Sequence, residues 1–335
     1  GKIDDVIIWD NALSQADVNE LYSIYGENEN FDGTVGVPGA TLDNIVMYYN
    51  FNEGSGETVN DLSGGDYHGL VNGATWSDNI PQPPALGCMD SYAGNYDPDA
   101  NVDDGSCSDY PDNGPYSLFF DNNNVSVDEI GDYSREITIM AWVKKDGTDG
   151  YSSIVSGGCG NLLFTEHNNR LLFGSQCSDP IAHDTYSTTE ITDNEWHHVA
   201  ATYNADAGGP NNLKVYVDGV LEGQSTKTES FNVDGFRIGT NNNGNGEYFN
   251  GNIDMLRIWN AALTEQQIQE NMVSNYANGN EGDLLADWRF NTGVGDILFD
   301  HSGNQNHGSI NGPAWSEDVP RNDTTLVYVT FNLDM

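Results

Sequence analysis

Positive charge is scarce in this sequence. Across 335 residues, 11 Lys and Arg face 52 Asp and Glu, a formal net charge of −41. So strong a negative field repels nucleic acid and anionic membrane surfaces, which excludes both as partners. Long apolar runs are missing too: no stretch of about 18 apolar residues is available to span a bilayer. No signal peptide opens the chain, which starts at Gly1, so it reads as a segment of a longer precursor. Cysteine is limited to four residues, none in a CxxC arrangement for zinc. They fall as two local pairs, Cys88 with Cys107 and Cys159 with Cys177, which suits disulfides in an oxidising compartment. Catalytic signatures are absent: no GxSxG elbow, no HExxH, no phosphate loop, and no ExDxE or ExDxxE on a predicted strand. Nucleophilic, zinc-peptidase, nucleotide and retaining-glycosidase chemistry all lack their minimal parts, and a non-enzyme is expected.

Aromatic residues, by contrast, are 11% of the chain and alternate with polar ones in short runs, so the acidity belongs to a folded surface rather than a disordered tail. The sequence also repeats itself. GKIDDVIIWDNALSQADV at 1–18 returns as GNIDMLRIWNAALTEQQI at 251–268, offset by 250. YYNFNEGSGETVNDLSGGDYHGLVNGATWSDNIP at 48–81 returns as DWRFNTGVGDILFDHSGNQNHGSINGPAWSEDVP at 287–320, offset by 239. Each copy holds a strand, a short helix, a linker and a strand-turn-strand tail. Ser14 with Asp17, and Thr264 with Gln267, have the spacing of a helix N-cap and its capping-box partner.

Only the second copy follows a long β-rich body, with strands expected at 117–120, 136–143, 161–165, 170–174, 196–203, 213–218 and 235–239. Residues 1–81 are therefore expected to end a preceding domain whose body lies ahead of Gly1. Residues 82–113, rich in Pro, Asp, Asn and Gly, form a small module; 114–320 form the main domain with its tail; and 321–335 open a further β domain. Closing the roughly twenty-residue Cys88–Cys107 loop is worth about 3 kcal/mol on the chain-entropy estimate. Cys159 and Cys177 are symmetric about Asn168-Asn169, a good two-residue hairpin turn between NLLF and RLLF.

ITIMAWVK at 137–144, EWHHVAATY at 195–203, LKVYVDGVLEG at 213–223 and FNGNIDMLRIWNAAL at 249–263 together resemble, in order, the laminin-G-like (concanavalin A-like) jelly roll of bacterial secreted proteins. The resemblance covers most of 116–270 and implies an all-β, antiparallel sandwich. GCMDSYAGNYDPDANVDDGSC around 88–107 resembles a thrombospondin-type-3-like repeat found between domains of large secreted adhesins and hydrolases. In that module Asp97, Asp99, Asn101 and Asp103 alternate ahead of Asp104-Gly105, like the opening of a calcium loop, with Asp90 as a further oxygen donor. The competing reading is a solvated acidic turn, since no Glu stands at the twelfth position. The jelly-roll resemblance implies a second, structural calcium between Asp121 in an early loop and Asp254 in the last strand, where Asp254 could instead cap a strand.

His197 and His198 are adjacent on a strand, point to opposite faces and read as sheet packing rather than a chelating pair. His68 and His307 precede Gly in the two tails and read as turn residues. Trp142, Trp196, Trp259 and Trp288 fall in strand-like runs and read as core. Tyr110, Tyr151 and Tyr186, assigned to loops, are the aromatics left to stack on a sugar. The expected role is a calcium-stabilised, non-catalytic repeat of a very large secreted adhesin or surface appendage, with a glycan or cell-surface ligand and self-association into oligomers or filaments. The alternative is a carbohydrate-binding accessory region of a secreted polysaccharide hydrolase.

Overall fold

A computed structural model describes residues 1–14, 18, 44–79, 85–128, 130, 131, 133, 135–147, 150–157, 163–174, 184–207, 210–227, 231, 236–241, 244, 246–274, 277 and 281–320. Asp17, Cys159, Cys177 and the segment 321–335 lie outside the described residues. The chain forms two compact units: Gly1–Ser91 with Tyr96–Ser106, and Tyr92–Asn95 with the chain from Cys107 onward.

In the first unit, β1 (Val6–Trp9) pairs antiparallel with β2 (Ile45–Tyr49), and β3 (Thr58–Val59) with β4 (Gly69–Leu70). In the acidic module, β5 (Leu86–Gly87) and β6 (Val102–Asp103) make a short parallel pair. Cys88 and Cys107 are disulfide-bonded to each other.

The second unit is a jelly-roll sandwich of two eight-stranded sheets. Its strands are β7 (Ser117–Phe120), β8 (Asn124–Val127), β9 (Glu136–Asp146), β10 (Tyr151–Ser156), β11 (Leu163–His167), β12 (Arg170–Gly174), β13 (Thr185–Glu190), β14 (Asp193–Asn204), β15 (Leu213–Val217), β16 (Val220–Ser225), β17 (Phe236–Ile238), β18 (Gly251–Trp259), β19 (Leu284–Trp288), β20 (Ile297–Leu298), β21 (Gly308–Asn311) and β22 (Ala314–Ser316). One sheet runs β13-β12-β11-β10-β17-β8-β21-β20; the other runs β16-β15-β14-β9-β18-β7-β22, with β19 also on β18. The tail strands β21 and β22 join β8 and β7, so the second tail closes both sheets of its own domain.

Period-two alternation builds the core. Val199, Ala201 and Tyr203 of β14 face inward with Ile137, Ile139 and Val143 of β9, against Phe164, Leu171 and Phe173 of the opposite sheet. On the outer side, Met140, Ala200, Tyr216 and Trp259 form a second apolar cluster with Ala261, Leu263 and Ile268. Ile268 belongs to α1 (Glu265–Met272), which opens with the expected capping box: Thr264 Oγ1 accepts from Gln267 N, and Gln267 Oε1 accepts from Thr264 N. Arg257, almost fully buried, closes the other end of α1. It bonds Asp287 Oδ1 at 2.8 Å and donates to the carbonyls of Asn271 and Ser274 at 3.0 Å each. Asn168 and Asn169 both adopt positive φ, 54° and 67°, giving the two-residue turn that sets β11 against β12.

The repeat holds in three dimensions. Val6↔Tyr49, Ile7↔Tyr48, Ile8↔Met47 and Trp9↔Ile45 in β1–β2 correspond to Leu256↔Trp288, Arg257↔Asp287, Ile258↔Ala286 and Trp259↔Leu284 in β18–β19, with the register break at the same position. Both tails tie the same knot. Asp61 accepts from the backbone of Tyr48, Ser63 and Tyr67 and from Ser63 Oγ, while its own N–H donates to His68 Nδ1. Asp300 accepts from Asp287, Ser302, Asn306 and Ser302 Oγ, while its N–H donates to His307 Nδ1. His68 and His307 thus hold their turns by accepting a backbone N–H.

Candidate functional site

Tyr151, His167 and Tyr186 meet at one end of the first sheet, on its outer face. Tyr151 opens β10 and pairs directly with His167, the last residue of β11, and the two rings stack in parallel, 3.8 Å apart at 6°. His167 in turn faces Arg170 across the Asn168-Asn169 turn. Tyr186 lies on β13 beside β12, and its hydroxyl is 3.1 Å from His167 Nδ1. Direct pairs across a sheet share a face, so four adjacent strands present Tyr151, His167, Arg170 and Tyr186 together. Burial lowers the His167 pKa, so the ring is neutral near pH 7 and bonds to Tyr186 without a charge. Tyr151 is 36% exposed, which leaves ring surface open to a ligand.

This placement revises the expectation for the tyrosines. Tyr151 and Tyr186 stand on strands rather than loops, where the sheet fixes their orientation. Tyr110 is 5% exposed and stacks on Phe299 at 5.6 Å, with His301 and His307 against its ring, so it is interior. His167 and Arg170 are the members of the group that the sequence did not single out.

The tryptophans divide. Trp259 and Trp288 are fully buried, whereas Trp142 and Trp196 are half-buried on the outer side of the second sheet. Trp142 Nε1 donates to Met272 O, and Trp196 Nε1 donates to Asp318, which also pairs with Lys144 at 2.8 Å. His197 and His198 diverge as strand geometry requires. His197 bonds Asp218 at 2.9 Å and Asp193 at 3.2 Å, and the Asp218 bond raises its pKa. His198 is buried, lies edge-on to Trp142, and is driven down to about 3 by burial.

The acidic side chains proposed for calcium are spread along their turns. Asp97 Oδ1 accepts from Asp99 N, Asn101 Oδ1 from Ala85 N, Asp103 Oδ1 from Gly105 N, and Asp104 Oδ1 from Ser106 N. Asp90 is buried. Asp97, Asp103 and Asp104 thus each serve a local turn with one oxygen, whereas Asn101 ties its loop back to Ala85. Asp121 and Asp254 are not brought together: Gly251 pairs with Phe120 and Ile253 with Leu118, which puts Asp254 roughly 13 Å along the ladder from the end that carries Asp121. Asp121 is exposed and accepts from Asn122 Nδ2. Asp254 is 3% exposed, its pKa pushed well up by burial, with Oδ1 accepting from Met255 N. Among the described residues, no three His, Cys, Asp or Glu side chains converge as a metal site.

Residues 120–269 match the family described as the Concanavalin A-like lectin/glucanases superfamily. A candidate carbohydrate binding protein from Bacteroides ovatus ATCC 8483 shares the fold at a TM-score of 0.50 and 21% identity. The match covers 68% of this chain and 66% of that protein, just under two thirds of its length. Domain 4 of AbnA, a GH43 extracellular arabinanase from Geobacillus stearothermophilus solved with arabinotriose, matches at 0.35 and 22% identity, over 44% of this chain and 71% of the other. A heptameric SAP-like pentraxin from Limulus polyphemus matches at 0.37 and 17% identity, over 63% and 92%. No curated protein matches the chain. Among the described residues, no helix is long and apolar enough to cross a membrane.

Proposed function

We propose that this chain is a non-catalytic adhesion segment of a large extracellular surface protein, and that it contacts carbohydrate through Tyr151, His167 and Tyr186. The observation that carries this reading is the exposed Tyr151 ring held flat on His167 by strand pairing. A rigid aromatic face beside fixed polar groups suits the apolar face and hydroxyls of a sugar, because little conformational entropy is lost on binding. The lectin-type fold and the Cys88–Cys107 disulfide support the extracellular assignment.

Isothermal titration against oligosaccharides selected on a glycan array tests it. Tyr151→Ala should weaken binding about tenfold or more, worth about 1.4 kcal/mol, with the melting temperature unchanged. Equal affinity in Tyr151→Ala and the parent, or no glycan bound by the parent, refutes the platform. The same platform would serve an accessory region of a polysaccharide hydrolase; electron microscopy and mass spectrometry of the native parent separate fibres from chains tethered to a catalytic domain. Calcium enters this reading only through the oxygen-rich donor set of residues 90–104. EGTA should loosen that module before the sandwich, and equal loss of both removes calcium from the proposal.

A further inference from the structure

The two copies of the repeat end their strands differently. In the second copy β18 is held on both sides: by β9 along Gly251 to Trp259, and by β7 and β19 on the other edge. In the first copy the corresponding β1 pairs, among the described residues, with β2 alone. The side chains follow suit. Ile253 and Ile258 are 0% exposed, while their counterparts Ile3 and Ile8 are 75% and 46% exposed. Leu256 and Trp259 are fully buried, while Val6 and Trp9 are half-buried. Yet β1–β2 already has the register and the register break of β18–β19, so the hairpin is formed, and among the described residues no strand pairs with its second edge.

We propose that residues 1–79 are a docking element for a second jelly-roll body that lacks its own last strand. The β18–β9 ladder fixes the register. Ile7, Ile8 and Trp9 take the places of Arg257, Ile258 and Trp259, opposite residues equivalent to Met140, Ile139 and Thr138. Ile3 takes the place of Ile253, opposite the equivalent of Val143. The occupant is therefore an antiparallel strand with the aliphatic alternation of ITIMAWV, from a sandwich whose inner face covers Ile3 and Ile8. An unpaired strand edge is an aggregation hazard unless it is covered, and the matching register names its cover.

The test appends a second copy of residues 114–250 ahead of Gly1 of the full chain and follows amide exchange. The amides of Ile7, Ile8 and Trp9 should slow by about a hundredfold or more relative to the unextended chain. The appended copies of β14 and β15 should be protected as well. An appended body that folds while β1 exchanges as before overturns the proposal. So does an appended body that stays unfolded, since residues 1–79 are what should complete it. Protection of β1 in the unextended chain that grows with protein concentration assigns the edge to a second copy of this chain and likewise overturns it. Within the extended chain, Ile8→Lys should restore fast exchange at β1 while leaving the native β18 amides protected.

Discussion

Residues 1–79 and 251–316 carry one pattern in two settings, and the difference separates what local sequence builds from what surroundings add. Turn, hairpin register and the Asp–Ser–His knot are the same in both. Trp76 and Trp315 even donate to equivalent carbonyls, Gly56 and Gly295, at 3.0 Å. These features are built from residues within each copy, so they form wherever the sequence occurs. Burial depends on the neighbours. The same carboxylate responds in opposite directions: burial works against Asp61, but its four donors prevail and hold it well below the usual carboxylate range, whereas burial within the sandwich pushes Asp300 up despite equivalent donors.

The sharpest break between the copies should come from truncating matched isoleucines. Ile258→Ala opens a cavity in a closed core and should cost roughly 3 kcal/mol, against about 0.5 kcal/mol for the half-exposed Ile8→Ala, both read by thermal unfolding. Similar losses at the two sites would mean that Ile8 is already covered. Next come the knots. Asp300→Ala leaves several buried donors without an acceptor and should cost about 3 kcal/mol, whereas water can replace the acceptor in Asp61→Ala, for about 1 kcal/mol. Amide exchange at residues 58–70 and 297–311 reports each locally. Removing the α1 cap with Thr264→Ala should cost about 1 kcal/mol and leave the first copy untouched.

The smallest effect is in pH, and its sign differs between the copies. Asp61 has a lowered folded pKa, so its contribution is present above the unfolded value near 4 and is lost as pH falls below that toward the folded value. Asp300 has a raised folded pKa, so between the unfolded value and the raised one the folded state holds the extra proton, and stability from that site increases as pH drops through the window. Acidifying from pH 7 to about 4 should firm the second tail relative to the first, and going lower should weaken the first. Exchange rates corrected for the intrinsic pH dependence measure both; parallel behaviour would contradict the assignment.

The sandwich was legible where pattern is local. The Asn168-Asn169 turn, the Thr264 capping box and the offset repeat all rest on short spacings. Strand β10 was not legible, because YSSIVS hides Ser152, Ser153 and Ser156 in the interior, and buried serines do not alternate with apolar residues in sequence. Missing β10 is why Tyr151 read as a loop residue and why its partner His167 carried no signal: that pair exists only once β10 is laid against β11. Trp142 and Trp196 misled in the other direction, since a strand pattern says that a residue lies on a face and not which face is inside.

The Cys88–Cys107 bond also has a mechanical meaning. Tension applied along the chain would pass through the sulfur bridge and bypass residues 89–106, which would otherwise pay out roughly 60 Å of extended backbone. As long as the bridge is oxidised, the acidic module transmits force without lengthening; a reductant should reveal that hidden contour as one added step in a single-molecule extension trace.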